Sequence, residues 1–245
     1  MNKRLLSLLL ILVPALTLAA EGGVHLDKAN IDPDNQQSLQ RGARLFVNYC
    51  LSCHSAGLMR YERMGKDLGI DEKLVSENLM FTGGRVGDLM VVATNPEDAK
   101  EWFGTVPPDL SVIARARGVD WLYTYLRSFY LDPSRVTGVN NLVFPDVGMP
   151  DVLWELQGWQ KPVITTVKDT DGSEHKVIDL ELAEPGLMSP KEFDRAVRDL
   201  VNFLDYMAEP GKHDRQSLGV KVILFLLVFL VVAYLMKKEF WKDVH

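Results

Sequence analysis

Apolar positions recur at helical spacing through most of this chain and with a two-residue period in one place. Over residues 34–49, DNQQSLQRGARLFVNY, Leu39, Ala43, Phe46 and Cys50 fall on one stripe, with Asp34 placed to cap the helix. Gly42 inside this stretch costs about 1 kcal/mol against Ala, which fits either a close helix crossing or an exposed glycine. A short helix is predicted over 71–79. The pattern breaks at Pro107 and Pro108 and resumes as helix, with Asp109 or Ser111 as its cap. Residues 120–130, DWLYTYLRSFY, read as an aromatic-rich helix that Pro133 stops. Residues 162–167 and 175–182 alternate about the Gly-containing turn 169–172 and predict a β-hairpin. Ser189-Pro190-Lys191-Glu192 is a capping box with Pro in first position. The helix it starts carries Phe193, Val197, Leu200, Phe203, Leu204 and Met207 on one face and stops at Glu209-Pro210-Gly211. A terminal helix of this kind packs back on the N-terminal one.

The two ends depart from this globular pattern. Residues 1–4 form a basic head, 5–13 an apolar core and 15–20 a small-residue exit, the pattern of a secretory signal peptide cut near Ala19 or Ala20. Near the other end, a polar linker at 212–216 precedes 19 residues, 218–236, with Lys221 as the single charge. At about 1.5 Å per residue they span roughly 30 Å, the thickness of a bilayer's hydrocarbon core, and Lys221 can snorkel to the interface. The predicted organisation is a signal peptide at 1–20, an exported domain at 21–215, a spanning helix at 216–237 and a cytoplasmic tail at 238–245. Flanking charge does not orient the helix, since Lys212, Arg215 and Lys221 balance Lys237, Lys238 and Lys242. The exported N-terminus does: it leaves His245 in the cytoplasm and the globular domain outside.

Composition adds little to the fold and something to the partners. At 47% hydrophobic and 24% charged the chain has an ordinary globular balance, enough for one core. Its formal charge of −6 becomes −8 once Lys3 and Arg4 leave with the signal. That argues against nucleic acid and suits a basic protein partner. Asp169, Asp171, Glu174, Asp179, Glu181 and Glu184 on the hairpin offer either a landing surface for such a partner or an ordinary solvated face.

The chemistry is concentrated in Cys50-Leu51-Ser52-Cys53-His54. Two thiols three positions apart with a His behind them suit two thioether bonds to a haem's vinyl groups and an axial imidazole on its iron. A zinc site would need about four ligands, and the chain has only these two Cys, with His25, His175, His213 and His245 scattered. A thioredoxin-type pair would follow a strand, whereas these residues follow a predicted helix. Export agrees with the haem reading, because covalent attachment in bacteria happens outside the cytoplasmic membrane.

The second iron ligand is sought among the methionines. Met59 and Met64 lie too near His54 to reach the opposite haem face and read as wall or core, as do Met80 and Met90. Met149, between Gly148 and Pro150, lies off any apolar stripe in a turn, with Pro145 and Trp154 nearby to stiffen and shield it. A thioether there would close the coordination sphere and raise the reduction potential. Arg115 and Arg117 could hold the haem propionates by paired hydrogen bonds, or simply form a solvated helix face.

The order C-x-x-C-H, P-P-D-L-S, R-A-R, F-P-D-V-G-M-P and one C-terminal spanning helix resembles the cytochrome c1 family, the c-type subunits of the ubiquinol:cytochrome c oxidoreductase (cytochrome bc1) complex. The resemblance covers nearly the whole mature chain. It implies a mainly α, cytochrome c-like haem domain with a small β-hairpin and one C-terminal transmembrane helix. It also implies one covalent haem c on Cys50 and Cys53, His54 and Met149 as axial ligands, Pro108 at the haem edge and Arg117 on a propionate. Its implied partners are a cytochrome b, a Rieske iron–sulfur protein as donor and a cytochrome c as acceptor, at the periplasmic face of a bacterial inner membrane. Trp121 stands where mitochondrial relatives carry a slightly longer segment with Tyr, so the resemblance carries no role onto it. Two other classes share these motifs: a free-standing membrane-anchored electron carrier, and a haem enzyme or gas sensor with an open sixth position.

Overall fold

The computed structural model describes residues 24–81, 84–168 and 174–243. The signal-peptide reading of residues 1–20 and the hairpin turn at 169–172 lie outside the described residues. In chain order the first elements are α1 (Gln36–Tyr49), β1 (Ala56–Arg60), α2 (Tyr61–Asp67), α3 (Glu72–Asn78), β2 (Leu89–Met90), α4 (Pro96–Phe103) and α5 (Ile113–Arg117). They are followed by α6 (Val119–Arg127), β3 (Phe129–Leu131), β4 (Val139–Asn141), α7 (Trp154–Gln157), β5 (Gly158–Lys168), β6 (Glu174–Pro185), α8 (Pro190–Ala208) and α9 (Lys212–Phe240).

The core is built where α1 crosses α8. A Cβ on Gly42 would lie 2.1 Å from the Asp199 carbonyl oxygen and 2.7 Å from Phe203 Cβ, so only glycine allows this approach. Of the two sequence readings of Gly42, the crossing is the one observed. Phe46 and Phe203 meet beside it with ring centroids 5.5 Å apart. Buried Asp199 is held at the same crossing by Arg41 Nε at 2.6 Å, Arg41 Nη2 at 3.1 Å and Ser38 Oγ at 2.6 Å. A buried carboxylate needs such donors to offset the water it gives up.

Several predicted boundaries shift for local reasons. Asn35, not Asp34, caps α1: its side-chain oxygen accepts from Ser38 N–H at 3.0 Å. Asp109 and Ser111 do not cap α5, which starts after Val112 without a side-chain cap, because both side chains are bonded elsewhere. The helix expected over 120–130 ends at Arg127, and Phe129–Leu131 turns into a strand paired antiparallel with Val139–Asn141. The expected hairpin runs longer, from Gly158 paired with Pro185 to Lys168 paired with Glu174. α8 starts as predicted, with Pro190 in its first turn and Glu192 accepting from the Ser189 N–H at 2.9 Å.

The residues before α1 are pinned to the core. Asp27 N–H donates to Thr124 Oγ1 at 2.8 Å and Ala29 N–H to Asp120 Oδ1 at 2.9 Å. Arg198 Nε donates to the Ala29 carbonyl at 3.0 Å. At the other end, residues 212–216 are not a separate linker but the first turn of α9. Among the described residues, α9 is the one helix long and apolar enough to cross a membrane, and its apolar side chains are exposed.

Candidate functional site

α1 delivers the motif. Cys50 N–H still donates to the Phe46 carbonyl at 2.9 Å, and the chain winds one more turn, with Cys53 N–H at 3.1 Å and His54 N–H at 2.9 Å from the Cys50 carbonyl. Cys50, Cys53 and His54 thereby line one cavity of about 430 Å³. No disulfide joins the two cysteines. Burial, with the neighbouring Cys53 adding to it, pushes an unattached Cys50 thiol up to about 12.

His54 is aimed by the proline rim. Its ring Nδ1 lies 2.7 Å from the Pro108 carbonyl oxygen, so Nδ1–H donates there and Nε2 is the nitrogen left for a metal. Burial lowers the imidazole below its ordinary value despite the Pro108 carbonyl and the Asp109 charge, which keeps the ring neutral and able to ligate. The rim is laced to the strand after the motif: Leu110 N–H reaches the Ser55 carbonyl at 2.8 Å, and Gly57 N–H reaches Asp109 Oδ2 at 2.7 Å. Leu58 N–H reaches Ser111 Oγ at 3.0 Å. Burial alone would raise the Asp109 carboxyl; the donors on Ser111 and Gly57 outweigh it and hold the group below the usual carboxylate range. Pro108 thus acts through its carbonyl as much as through its ring.

Met149 lines the same cavity, on a loop fixed by two asparagines that sequence reasoning missed. Fully buried Asn141 accepts the N–H groups of Val143 at 2.9 Å and Phe144 at 3.2 Å, and donates to the Tyr125 carbonyl at 2.8 Å. Asn140 accepts from Asp146 N–H at 2.8 Å. Gly148 fits because a Cβ there would press on the Phe103 carbonyl oxygen at 3.1 Å. The Tyr125 hydroxyl donates to the Met149 sulfur at 3.3 Å. Burial pushes the Tyr125 phenol above its ordinary value, so it remains a donor. Trp154, expected to shield Met149, instead stacks on Trp159 at 5.1 Å and does not line the cavity.

Among the described residues, the one cation lining the cavity is Arg117. The Arg117 guanidinium lies 5.0 Å from the centre of the Trp121 ring and 5.8 Å from that of Phe144, a cation–π seat that leaves its N–H groups free for a carboxylate. Arg115 does not line the cavity, so the paired-arginine reading reduces to Arg117. Trp121 lines it and stacks on Tyr125 at 4.9 Å. Met59, Met64 and Met90 are core residues with 2% exposure or less, as expected for wall and filler.

Two thiols three residues apart, an imidazole nitrogen, a thioether, largely apolar walls and a guanidinium at the mouth are the donor set a covalently held haem requires. The space is of the order that ligand sites occupy. Such a site can hold a one-electron couple away from water.

Comparison with known proteins agrees with this chemistry. The model of the Cytochrome C1 family matches residues 29–158 and 187–244. The unmatched residues between them fall on the β5–β6 hairpin. The chain is 51% identical over 245 residues to cytochrome c1 of Allochromatium vinosum, covering 100% of both chains. It is 48% identical over 242 residues to a protein named ammonia monooxygenase gamma subunit of Nitrosomonas europaea, covering 99% of this chain and 98% of that one. It is also 28% identical over 253 residues to the mitochondrial cytochrome c1 haem protein of Neurospora crassa, covering 91% of this chain and 69% of that one.

Proposed function

The chain belongs to the cytochrome c1 family, and on that premise we propose that it relays single electrons from a Rieske iron–sulfur protein to a cytochrome c, with His54 and Met149 as the two axial ligands of its iron. Proteins of this family carry a covalently bound haem c and serve as the electron-transfer subunit of the cytochrome bc1 complex beside cytochrome b; this chain does the same. The observation that carries the finer reading is that Cys50, Cys53, His54 and Met149 line one cavity although Met149 stands 95 positions after His54 in sequence.

Each side chain has a part. Cys50 and Cys53 would hold the macrocycle just past the end of α1. Pro108, bonded to His54 Nδ1, leaves Nε2 for the iron and lines the cavity, and Arg117 would hold a propionate. The haem supplies a one-electron couple. Leu200 and Leu204 from α8, with Leu122 and Leu126 from α6, keep water from it, which favours the less charged ferrous state. With His54 and Met149 both holding the iron, little rearrangement would accompany electron transfer.

The exposed apolar α9 is consistent with a single-pass membrane anchor, as suits a membrane-bound cytochrome c1. We place the haem domain on the periplasmic side and the C-terminus in the cytoplasm, a reading supported by the signal-peptide pattern at 1–20.

Met149→Leu tests the ligand. The variant is expected to lose the ferric methionine-to-iron charge-transfer band, to bind carbon monoxide when reduced and to show a lower midpoint potential. An unchanged ferric spectrum and potential would remove Met149 from the iron, and carbon monoxide uptake by the unaltered protein would favour an enzyme or sensor. Copurification of a cytochrome b separates the complex subunit from a free-standing carrier.

A further inference from the structure

We propose that Tyr125 sets the reduction potential of this protein by donating its phenol proton to the sulfur of Met149. The proposal rests on Met149 as iron ligand and concerns a residue that neither the motifs nor the family resemblance pointed to.

The contact is unusual for a buried hydroxyl. A phenol inside a protein normally finds an oxygen, and a thioether is a weak acceptor. Among the described residues the hydroxyl's hydrogen-bond partner is the Met149 sulfur, at 3.3 Å. The ring cannot swing away from it. Trp121 stacks on one face of it with an 11° interplanar angle, and Phe129 packs edge-on with centroids 5.2 Å apart.

Both ends of the bond are tied to a single residue. Asn141 donates to the Tyr125 carbonyl at 2.8 Å, while its side-chain oxygen accepts the Val143 and Phe144 N–H groups at the start of the loop that carries Met149. Donor and acceptor are therefore held in register by the fold rather than meeting by side-chain wandering. This is an outer-shell partner of the kind that orients and tunes a metal ligand.

The chemistry follows from the lone pairs. A thioether sulfur has two; one accepts from Tyr125 and the other stays available to the iron. The hydrogen bond fixes which lone pair faces the metal and draws electron density from it. A poorer donor stabilises ferric iron less, and the positive end of the O–H dipole opposes the extra positive charge of the oxidised state. Both effects raise the potential.

Tyr125→Phe in the full-length, haem-loaded protein removes the donor and keeps the ring. Spectroelectrochemical titration of wild type, Tyr125→Phe and Met149→Leu under one set of conditions makes the test. In Tyr125→Phe the ferric-to-ferrous ratio at a fixed ambient potential is expected to rise about five-fold, roughly 40 mV by the one-electron relation of 59 mV per decade. The ferric methionine charge-transfer band should persist but move. An unmoved or raised potential overturns the proposal, even if Tyr125→Phe loses thermal stability, because a merely structural ring would change stability alone. Met149→Leu separates the two levels. If it loses the band while Tyr125→Phe is silent, the ligand stands and the tuning falls; if it keeps band and potential, the ligand assignment fails and this proposal with it.

Discussion

Placing a methyl group at the α1–α8 crossing gives a quantitative test of how the haem cavity is held. In Gly42→Ala the new Cβ would sit 2.1 Å from the Asp199 carbonyl oxygen, 2.8 Å from its carbon and 2.7 Å from Phe203 Cβ. Two of these atoms are backbone and cannot rotate aside, so the helices must part. Overpacking of this kind costs about 1–3 kcal/mol, and contacts this short put the site at the upper end. The helix-propensity gain of Ala over Gly returns about 1 kcal/mol. A net loss of about 2 kcal/mol is expected, equivalent to a fall of roughly 4–8 °C in Tm for a domain of this size. The wedge also reaches the site, because α1 leads directly into Cys50 while α8 contributes Leu200 and Leu204 to the cavity wall. Thermal melts of the detergent-solubilised protein, followed by far-UV circular dichroism and by haem absorbance, measure both. Gly219→Ala is the control: nothing lies within 4 Å of its added Cβ, and it should leave the melt of the haem domain unchanged. A Gly42→Ala protein as stable as wild type would refute the crossing as the reason for the glycine.

Two other substitutions probe the supports of the site. Asn141→Ala leaves the Val143 and Phe144 N–H groups and the Tyr125 carbonyl without their partner, for a loss of about 3 kcal/mol and new carbon monoxide binding by the reduced protein as the Met149 loop loosens; a variant that stays closed to carbon monoxide would show that Asn141 does not hold the loop. Asp120 is held below the usual carboxylate range by Lys28 first and by the Ala29 N–H. A depressed folded-state value means a stabilising contribution present above about pH 4 and lost as pH falls through that lowered value. The protection factor of the Ala29 amide, its exchange rate corrected for the intrinsic pH dependence, should therefore fall only in acid for wild type, but be low already at neutral pH, without an acid step, in Asp120→Ala. An acid step surviving in the variant would assign it to another group.

What could be read from the sequence was chemistry carried by short spacing. The C-x-x-C-H run, the Met149 turn between Gly148 and Pro150, the capping box at Ser189 and the apolar run at 218–236 each signal within a few residues. The features that hold the site in place act over long separations and left no such signal. Asn140 and Asn141 look like ordinary turn residues until the loop they bond has folded over them. Tyr125 looked like one more core aromatic of a helix. Arg115 and Arg117 were equivalent on paper, but a helix turns about 200° in two residues, so only one could face the cavity. The first turn of α9 was read as a linker because a polar helix in water carries no apolar stripe. No Gly or Pro stood at 212–216 to stop it.

That first turn makes the connection to the apolar segment helical from Lys212 onward. At about 1.5 Å per residue, a helix of 29 residues is roughly 44 Å long, against about 30 Å of hydrocarbon to cross. The corner before it, Glu209 to Gly211, is bridged by Lys212 Nζ to Asp205 at 2.9 Å and by Arg215 Nε to Glu209 at 2.6 Å. If α9 anchors the chain, helix running unbroken from this corner would set the height of the haem domain above the lipid, and a donor or acceptor would have to come to it.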